Sequence, residues 1–383
     1  MSGSRGRHVS LPAVFMRGGT SKAVFFRQED LPKAAPPRDC SNWDAIFCGV
    51  LGSPDPNGRQ LDGMGGGLSS LSKIAVIGKP THPDADVDFT FAQVGIREAI
   101  VSYRGTCGNI SSAVGPYAVD EGLVRATGNS ATVRIHNTNT GKIVVATFAL
   151  QDGRAAVGGE QSIAGVAGEG DPVRLAFLDP GGATTGKLLP TGNARDELDV
   201  AGVGQIEASL VDAANPVVFV RGSAFALDPR SRPEDLEKDA ELVKRLEEVR
   251  VASAARMGLC SEQEARTRIK NLPLVSLIWP RSAASAEADI VTRMISAGQP
   301  HRATPLTGAM CLAVAGRLPG SIVAEALSER SEPDRDITIA HASGILTLGA
   351  KVRISGGEAV AEEVVVYRTA RRLMEGRVFY RTS

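Results

Sequence analysis

The feature that most restricts the fold is a repeat of three short patterns in the two halves of the chain. Asn215-Pro-Val-Val-Phe-Val220 matches Ser21-Lys-Ala-Val-Phe-Phe26, and Thr307-Gly-Ala-Met-Cys-Leu-Ala-Val314 matches Cys107-Gly-Asn-Ile-Ser-Ser-Ala-Val114. Ile337-Thr-Ile-Ala-His341 then matches Thr132-Val-Arg-Ile-His136, so the order is kept at offsets of 194, 200 and 205 residues. Each half runs from an apolar, strand-like stretch to a helix of small residues and on to a further strand. A chain of 383 residues has room for two such domains. The expected fold is α+β: two pseudo-symmetric domains, each a bent, mainly antiparallel, barrel-like sheet around one central helix. The expected boundaries are 1–188 and 189–383, with room for the last strand to return to the first domain. Paired helices of this kind bring their N-termini to a shared cleft, where a ligand belongs. The charged stretch from Pro233-Glu-Asp-Leu-Glu-Lys238 to Glu262-Gln-Glu-Ala-Arg266 is helical in character and has no counterpart in the first half. It predicts a surface helical insertion near 232–270.

Charge and cysteine content exclude several classes of function. The 43 basic residues balance 43 acidic ones, so no broad basic field points to nucleic acid or to an anionic membrane. No apolar run approaches the roughly 18–20 residues of a membrane span. Met1-Ser-Gly-Ser-Arg-Gly-Arg-His8 lacks the apolar core of a signal peptide and reads as a frayed terminus. Cys40, Cys48, Cys107, Cys260 and Cys311 are odd in number and never form a CxxC pair. That disfavours a disulfide framework or a zinc site and suits a reducing compartment, the cytoplasm by default.

Within the first half the informative stretch is Gly105-Thr-Cys-Gly-Asn109, continuing through Ile110-Ser-Ser-Ala-Val-Gly-Pro-Tyr117. It reads as a loop that delivers a thiol to the first turn of a buried helix. Free N–H groups and aligned dipoles at such a terminus favour negative charge, either a thiolate or a bound carboxylate. A small buried hydrophobe is the plainer reading of a lone cysteine.

Three earlier stretches keep Cys107 company. Leu11-Pro-Ala-Val-Phe-Met16 and Ala23-Val-Phe-Phe26 are strands around the tight loop Arg17-Gly-Gly-Thr-Ser-Lys22. There the glycines allow close backbone approach, and Thr20 and Ser21 offer hydroxyls. After a Pro-rich linker at Pro32–Pro37 and the helical Asn42–Leu51 comes Leu61-Asp-Gly-Met-Gly-Gly-Gly67, followed by Leu68-Ser69. This loop resembles an anion cradle without the order of a nucleotide P-loop, and equally suits an ordinary surface loop. Lys73 then opens the strand Lys73–Ile77, where period-2 alternation puts Lys73, Ala75 and Ile77 on one face. On a core face the ammonium is disfavoured, and a lysine so placed can serve as a general base. A solvated strand-end lysine is the alternative. Asp84–Val94 and Glu98–Tyr103 read as antiparallel strands turned at Gly95, and Ala131–His136 and Lys142–Leu150 as a hairpin.

Arg17-Gly-Gly-Thr-Ser-Lys22, Leu61–Gly67 with Ser72-Lys73, Cys107-Gly-Asn109 with Ala113-Val-Gly-Pro116, Pro190-Thr-Gly-Asn193 and Leu210–Pro216 together resemble the PrpF family, over nearly the whole chain. The resemblance implies a fold like that of diaminopimelate epimerase. It also implies cofactor-independent isomerisation of carbon–carbon double bonds in unsaturated di- and tricarboxylates, such as methylaconitate, methylitaconate and oxalomesaconate. The family's proposed catalytic pair falls here on Lys73 and Cys107. A small-molecule carboxylate partner follows, with no metal, no nucleic acid and no membrane, and a homodimer is compatible.

The residues support one part of that transfer. Two-base epimerases of this fold take a thiol from each half, whereas here Thr307 stands opposite Cys107, and Cys311 lies about one turn deeper. A 1,3-allylic proton shift fits better than symmetric racemisation. In that reading Lys73 abstracts the allylic proton while Cys107 acts as acid or second base. N–H donors around Gly65, Gly66, Gly67, Gly108, Asn109, Thr307 and Gly308, with hydroxyls of Thr20, Ser21 and Ser69, stabilise the developing charge. Arg17, His301 and Arg302 pair with remote carboxylates. Two alternatives stay open: an epimerase or racemase of a small carboxylic acid, and a non-catalytic accessory protein of a partner dehydratase.

Overall fold

The computed structural model of the chain describes residues 8–36, 39–103, 105–281, 287–296, 298–327 and 335–381. The expected frayed terminus before His8, and Pro37 at the end of the linker, lie outside the described residues. Two compact units are present. One comprises Met1–Ala176 with Tyr367–Ser383, and the other comprises Phe177–Val366. The crossing falls at Ala176–Phe177 rather than at 188, inside the strand Val173–Leu178, where the apolar run Leu175–Leu178 gives no compositional sign of a boundary.

The first unit is built on six strands: β1 (His8–Gly18), β2 (Ser21–Arg27), β3 (Lys73–Gly78), β4 (Val87–Val94), β5 (Ser130–Asn137) and β6 (Lys142–Gln151). Neighbours pair alternately: β1–β2 antiparallel, β2–β3 parallel, β3–β4 antiparallel, β4–β5 parallel and β5–β6 antiparallel. The parallel pairs need crossovers, and helices supply them. Helix α1 (Ser41–Leu51) lies between β2 and β3, and α2 (Gly108–Asp120) between β4 and β5. The C-terminal strand Ala370–Arg381 returns to this unit and pairs antiparallel with β1.

Helix α2 is buried from Ile110 to Val119, as a helix without a charged face must be. Its small residues let the sheet close in. A Cβ at Gly115 would stand 2.9 Å from both Ala146 and Phe148. The hydroxyls of Ser111 and Ser112 turn back onto the carbonyls of Cys107 and Asn109 at 3.1 and 2.7 Å, so the buried helix carries no loose hydroxyl there. The sheet is covered on its other face by α1, whose Trp43, Phe47 and Val50 join Phe26, Ile74 and Val76 in one core. Every residue of β3 from Lys73 to Ile77 is therefore buried, and the alternation that sends Ile74 and Val76 toward α1 sends Lys73, Ala75 and Ile77 the other way.

The second unit repeats this order. Its strands β7 (Gly204–Ala213), β8 (Asn215–Arg221), β9 (Leu274–Pro280), β10 (Ile290–Ser296), β11 (Ile337–His341) and β12 (Gly344–Ser355) pair with the same alternation of antiparallel and parallel. Helices α3 (Pro233–Lys238), α4 (Ala240–Arg256) and α5 (Glu262–Thr267) join β8 to β9, and α6 (Leu306–Ala315), buried at all ten positions, joins β10 to β11. The chain thus folds as two pseudo-symmetric α+β units.

Two expectations need correction. The charged helical stretch is no unmatched insertion: α3 to α5 occupy the place that α1 occupies in the first unit. Leu242, Leu246 and Val249 of α4 join Val218, Val220 and Leu277 in the core. The exposed face of α4 carries so much charge that sequence alone conceals the apolar stripe beneath it. The strand expected over Glu98–Tyr103 is reduced to Val101–Ser102, because the Gly95 N–H donates to the Ile100 carbonyl and the intervening residues form the loop. Among the described residues no helix is long and apolar enough to cross a membrane.

Candidate functional site

Around the start of α2 the first unit brings together Cys107, Gly108, Asn109 and the turn from Gly19 to Ser21. Cys107 is the N-cap, with extended backbone (φ −114°, ψ 98°), and its thiol makes no capping bond. The Cys107 carbonyl takes the N–H of Ser111 at 3.0 Å, the first bond of the helix. Among the described residues the N–H groups of Gly108, Asn109 and Ile110 meet no backbone acceptor, so three donors and the positive end of the helix dipole converge beside a half-buried thiol. Burial pushes the Cys40 thiol up to about 11 with help from Asp44 and Asp39, raises Cys48 and Cys260, and holds Cys311 well above the ordinary thiol range.

The turn between β1 and β2 closes onto this helix start, and two glycines are what permit it. Gly19 has φ +49°, and a Cβ there would lie 2.2 Å from Asn109 Oδ1; a Cβ at Gly18 would lie 2.5 Å from the Asn109 carbonyl oxygen. Asn109 Nδ2 donates to Thr20 Oγ1 at 3.1 Å. Ser21, next along, is buried, and its hydroxyl has no protein partner among the described residues. Arg17 is fixed otherwise than expected. Its Nη1 donates to the carbonyls of Gly19 and Thr369 at 3.0 and 2.9 Å, and Gly19 N–H donates to Thr369 as well. Arg17 therefore clamps the turn to the returning chain, and burial, with Arg371 beside it, lowers its affinity for a proton.

Arg368, which the sequence reading did not single out, lies against the same helix start. Its Nε donates to Asn109 Oδ1 at 3.2 Å and its Nη1 to the Tyr367 carbonyl at 2.9 Å. The side chain is 8% exposed, and burial lowers its pKa to about 10. In sequence it is one of three arginines in Arg368-Thr-Ala-Arg-Arg372, a run that gives no sign of burial.

Lys73 is 8% exposed at the first position of β3. Its Nζ donates to Gln93 Oε1 at 2.6 Å and stands 5.0 Å from the centre of the Phe91 ring. Gln93 in turn donates to the carbonyls of Ser72 (2.8 Å) and Ser69 (3.1 Å), which sets its amide with the oxygen toward Lys73. The lysine is thus held by a neutral amide and an aromatic face. Gln93 is a second residue that sequence reasoning missed; its place opposite Lys73 in the β3–β4 register was the available signal.

The Gly-rich loop behaves differently from an anion cradle. Gln60, fully buried at φ 54°, organises it: its side chain donates to Ser53 and Ser72 and accepts the Gly67 N–H at 3.1 Å. Gly65 N–H goes to the Leu51 carbonyl at 3.2 Å. A Cβ at Gly65 would meet Gln60 at 2.4 Å, and one at Gly66 would meet Leu71 at 2.7 Å. The glycines serve close packing on the end of α1, and the N–H groups of Gly65 and Gly67 are already spent; Gly66 keeps its donor among the described residues. Ser69 is exposed and lends its carbonyl to Gln93.

In the second unit, Pro305 caps α6 in the place Cys107 takes on α2, two residues before Thr307. Thr307 Oγ1 accepts from Asn215 Nδ2 at 2.8 Å, tying the start of β8 to the helix. Gly308 is where a Cβ would strike Met294 Sδ at 2.4 Å, so packing alone accounts for it. Cys311 is fully buried and donates to the Val211 carbonyl, deeper along the helix as expected. His301 N–H bonds the Met294 carbonyl, and burial holds its imidazole below the ordinary histidine range. Arg302 is 76% exposed and 3.5 Å from Glu234, so its charge already faces a carboxylate and its expected role is not supported.

A family model described as PrpF protein matches residues 8–381. The chain is 38% identical to the 3-methylitaconate isomerase of Eubacterium barkeri over 380 residues, covering 96% of this chain and 97% of that one. It is also 38% identical to the 4-oxalomesaconate tautomerase of Pseudomonas putida over 369 residues, covering 96% and 95%. Among solved structures, a methylitaconate-delta-isomerase superposes with a TM-score of 0.83 at 37% identity, covering 97% of this chain and 96% of that one.

Proposed function

The chain belongs to the PrpF family and is an isomerase, and from that premise we propose that it moves a carbon–carbon double bond within an unsaturated di- or tricarboxylate by allylic proton transfer. The substrate class is that of 3-methylitaconate, 2-methylaconitate or 4-oxalomesaconate. Equal identity to a methylitaconate isomerase and an oxalomesaconate tautomerase leaves the choice among them to the assay.

The observation that carries this reading is the asymmetry of the two helix starts. One holds a half-buried thiol at its N-cap, and the other a proline, with its cysteine sealed in the core. A racemase that works with a thiol on each face has no second thiol here. A proton shift along three carbons needs one group to take a proton and another to return one. Lys73 and Cys107 are the proposed pair. Lys73 takes the proton from the allylic carbon, and the electron pair spreads through the old double bond onto a carboxylate as a dienolate. Cys107 delivers a proton to the far carbon, and proton exchange between the two groups closes the cycle. In this reading the free N–H groups of Gly108, Asn109 and Ile110, with the Ser21 hydroxyl, stabilise the charge that develops on the dienolate. Assembly as a homodimer and a cytoplasmic location, the latter resting on five free cysteines, belong to the same reading.

A panel of these acids, followed by the change in ultraviolet absorbance as the double bond moves into or out of conjugation, tests the proposal. Turnover of one panel member, lost in Lys73→Ala and Cys107→Ala proteins that melt like wild type, is the expected result. Turnover that persists in both variants refutes the assignment of the pair.

A further inference from the structure

A buried guanidinium without an anion is costly, and the first unit holds one at a place that already attracts anions. Arg368 is 8% exposed, and no carboxylate pairs with it among the described residues. Its Nε is spent on Asn109 Oδ1 and its Nη1 on the adjacent Tyr367 carbonyl, while Nη2 donates to no described acceptor. Asn109 is the second residue of α2, so the guanidinium lies against the helix end whose first three N–H groups are also without backbone acceptors. Nearby, Arg17 commits its Nη1 to the carbonyls of Gly19 and Thr369.

We propose that Arg368 binds a substrate carboxylate: its guanidinium, oriented by Asn109, and the open N–H groups of α2 form one anion subsite. The inference rests on the isomerase reading and adds a residue to it. One carboxylate of the acid is held between a fixed cation and a helix terminus, and both interactions strengthen as charge builds on that carboxylate in the dienolate. Asn109 acts as the positioning residue. Its oxygen takes the Nε proton and its amide nitrogen is anchored on Thr20, so the planar fork of the guanidinium has one orientation.

The test measures binding apart from turnover. Propane-1,2,3-tricarboxylate cannot isomerise, and glutarate and 2-methylsuccinate each lack one of its carboxylates. Calorimetric titration of wild type, Arg368→Gln and Arg368→Lys with all three is expected to show the Gln variant binding the tricarboxylate about 10- to 100-fold more weakly, with partial recovery in the Lys variant. One of the two dicarboxylates, the one lacking the carboxylate that Arg368 holds, is expected to bind wild type and the Gln variant within 2-fold. A Gln variant that melts like wild type and binds the tricarboxylate equally well, an equal loss for all three ligands, or no binding to wild type overturns the subsite. Should the Gln variant not fold, phenylglyoxal modification of wild type takes its place. The tricarboxylate is expected to protect Arg368 in the mapped peptides, and lack of protection overturns the proposal. Turnover without dependence on Arg368 keeps the isomerase and removes the subsite; binding that depends on Arg368 without turnover does the reverse.

Discussion

Replacing Gly19 by alanine tests how tightly the β1–β2 turn is fitted to the start of α2. Two separate costs are expected. An L-residue held at φ +49° costs about 1–2 kcal/mol. The added Cβ, 2.2 Å from Asn109 Oδ1, drives the asparagine side chain away. The charge-assisted bond from Arg368 then goes, at about 1.5–3 kcal/mol, with the bond to Thr20, at about 0.5–1.5 kcal/mol. The sum is about 3–6.5 kcal/mol. Gly141 provides the control: its φ is +68°, in the turn between β5 and β6, and nothing lies within 4 Å of its missing Cβ. Gly141→Ala is expected to cost the backbone share alone, about 1–2 kcal/mol. Each unit contains one tryptophan, Trp43 in the first and Trp279 in the second, both buried. Urea unfolding in a Trp279→Phe background therefore reports the first unit through Trp43. In thermal terms the first unit is expected to melt roughly 6–26 °C lower for Gly19→Ala and about 2–8 °C lower for Gly141→Ala. Equal losses for the two alanines would refute the close fit between turn and helix.

Further outcomes follow from the same contacts. Arg250 donates to the carbonyls of Ile269, Leu272 and Ala265 and pairs with Glu247, so Arg250→Met is expected to cost about 3–5 kcal/mol, read as a lower urea midpoint of Trp279 emission. Iodoacetamide at pH 8 is expected to label Cys107 first, while Cys40, Cys48 and Cys311 react only after unfolding; peptide mass mapping decides, and early labelling of Cys311 would contradict its burial. His301 binds its proton less readily folded than unfolded, so it contributes stability that is full above the unfolded pKa near 6.5 and is lost as pH falls toward the folded value. A His301→Gln protein is expected to show a shallower fall in melting temperature between pH 7 and 5 than wild type; identical slopes would rule that contribution out.

The strands and both central helices were legible because their signals are local. β3 carries an apolar run, α2 a run of small residues between a cysteine and a proline, and the repeat itself gave the pairing of halves. Cys107 and Lys73 stand out in sequence through their motifs. What escaped depends on distant partners. Arg368 is 259 residues from the asparagine it touches, and nothing near it in sequence shows that it is buried. The Gly-rich loop was ambiguous for a related reason: glycines that admit a ligand and glycines that admit Gln60 look the same until the packing is known. α4 misled through its outer face, which is charged although its inner face closes a core. Cys107 and Thr307 aligned in sequence, yet the helix caps pair Cys107 with Pro305, a slip of two residues that only backbone geometry reveals.

The central claim is proton transfer along an allylic unit, and the most direct measurement is proton NMR of the reaction in D₂O with the panel member that turns over. The account predicts one deuterium at the carbon that was the far end of the double bond, with the bond migrated and both events lost in Lys73→Ala. Deuterium at a stereocentre with the double bond in place would contradict it and favour an epimerase.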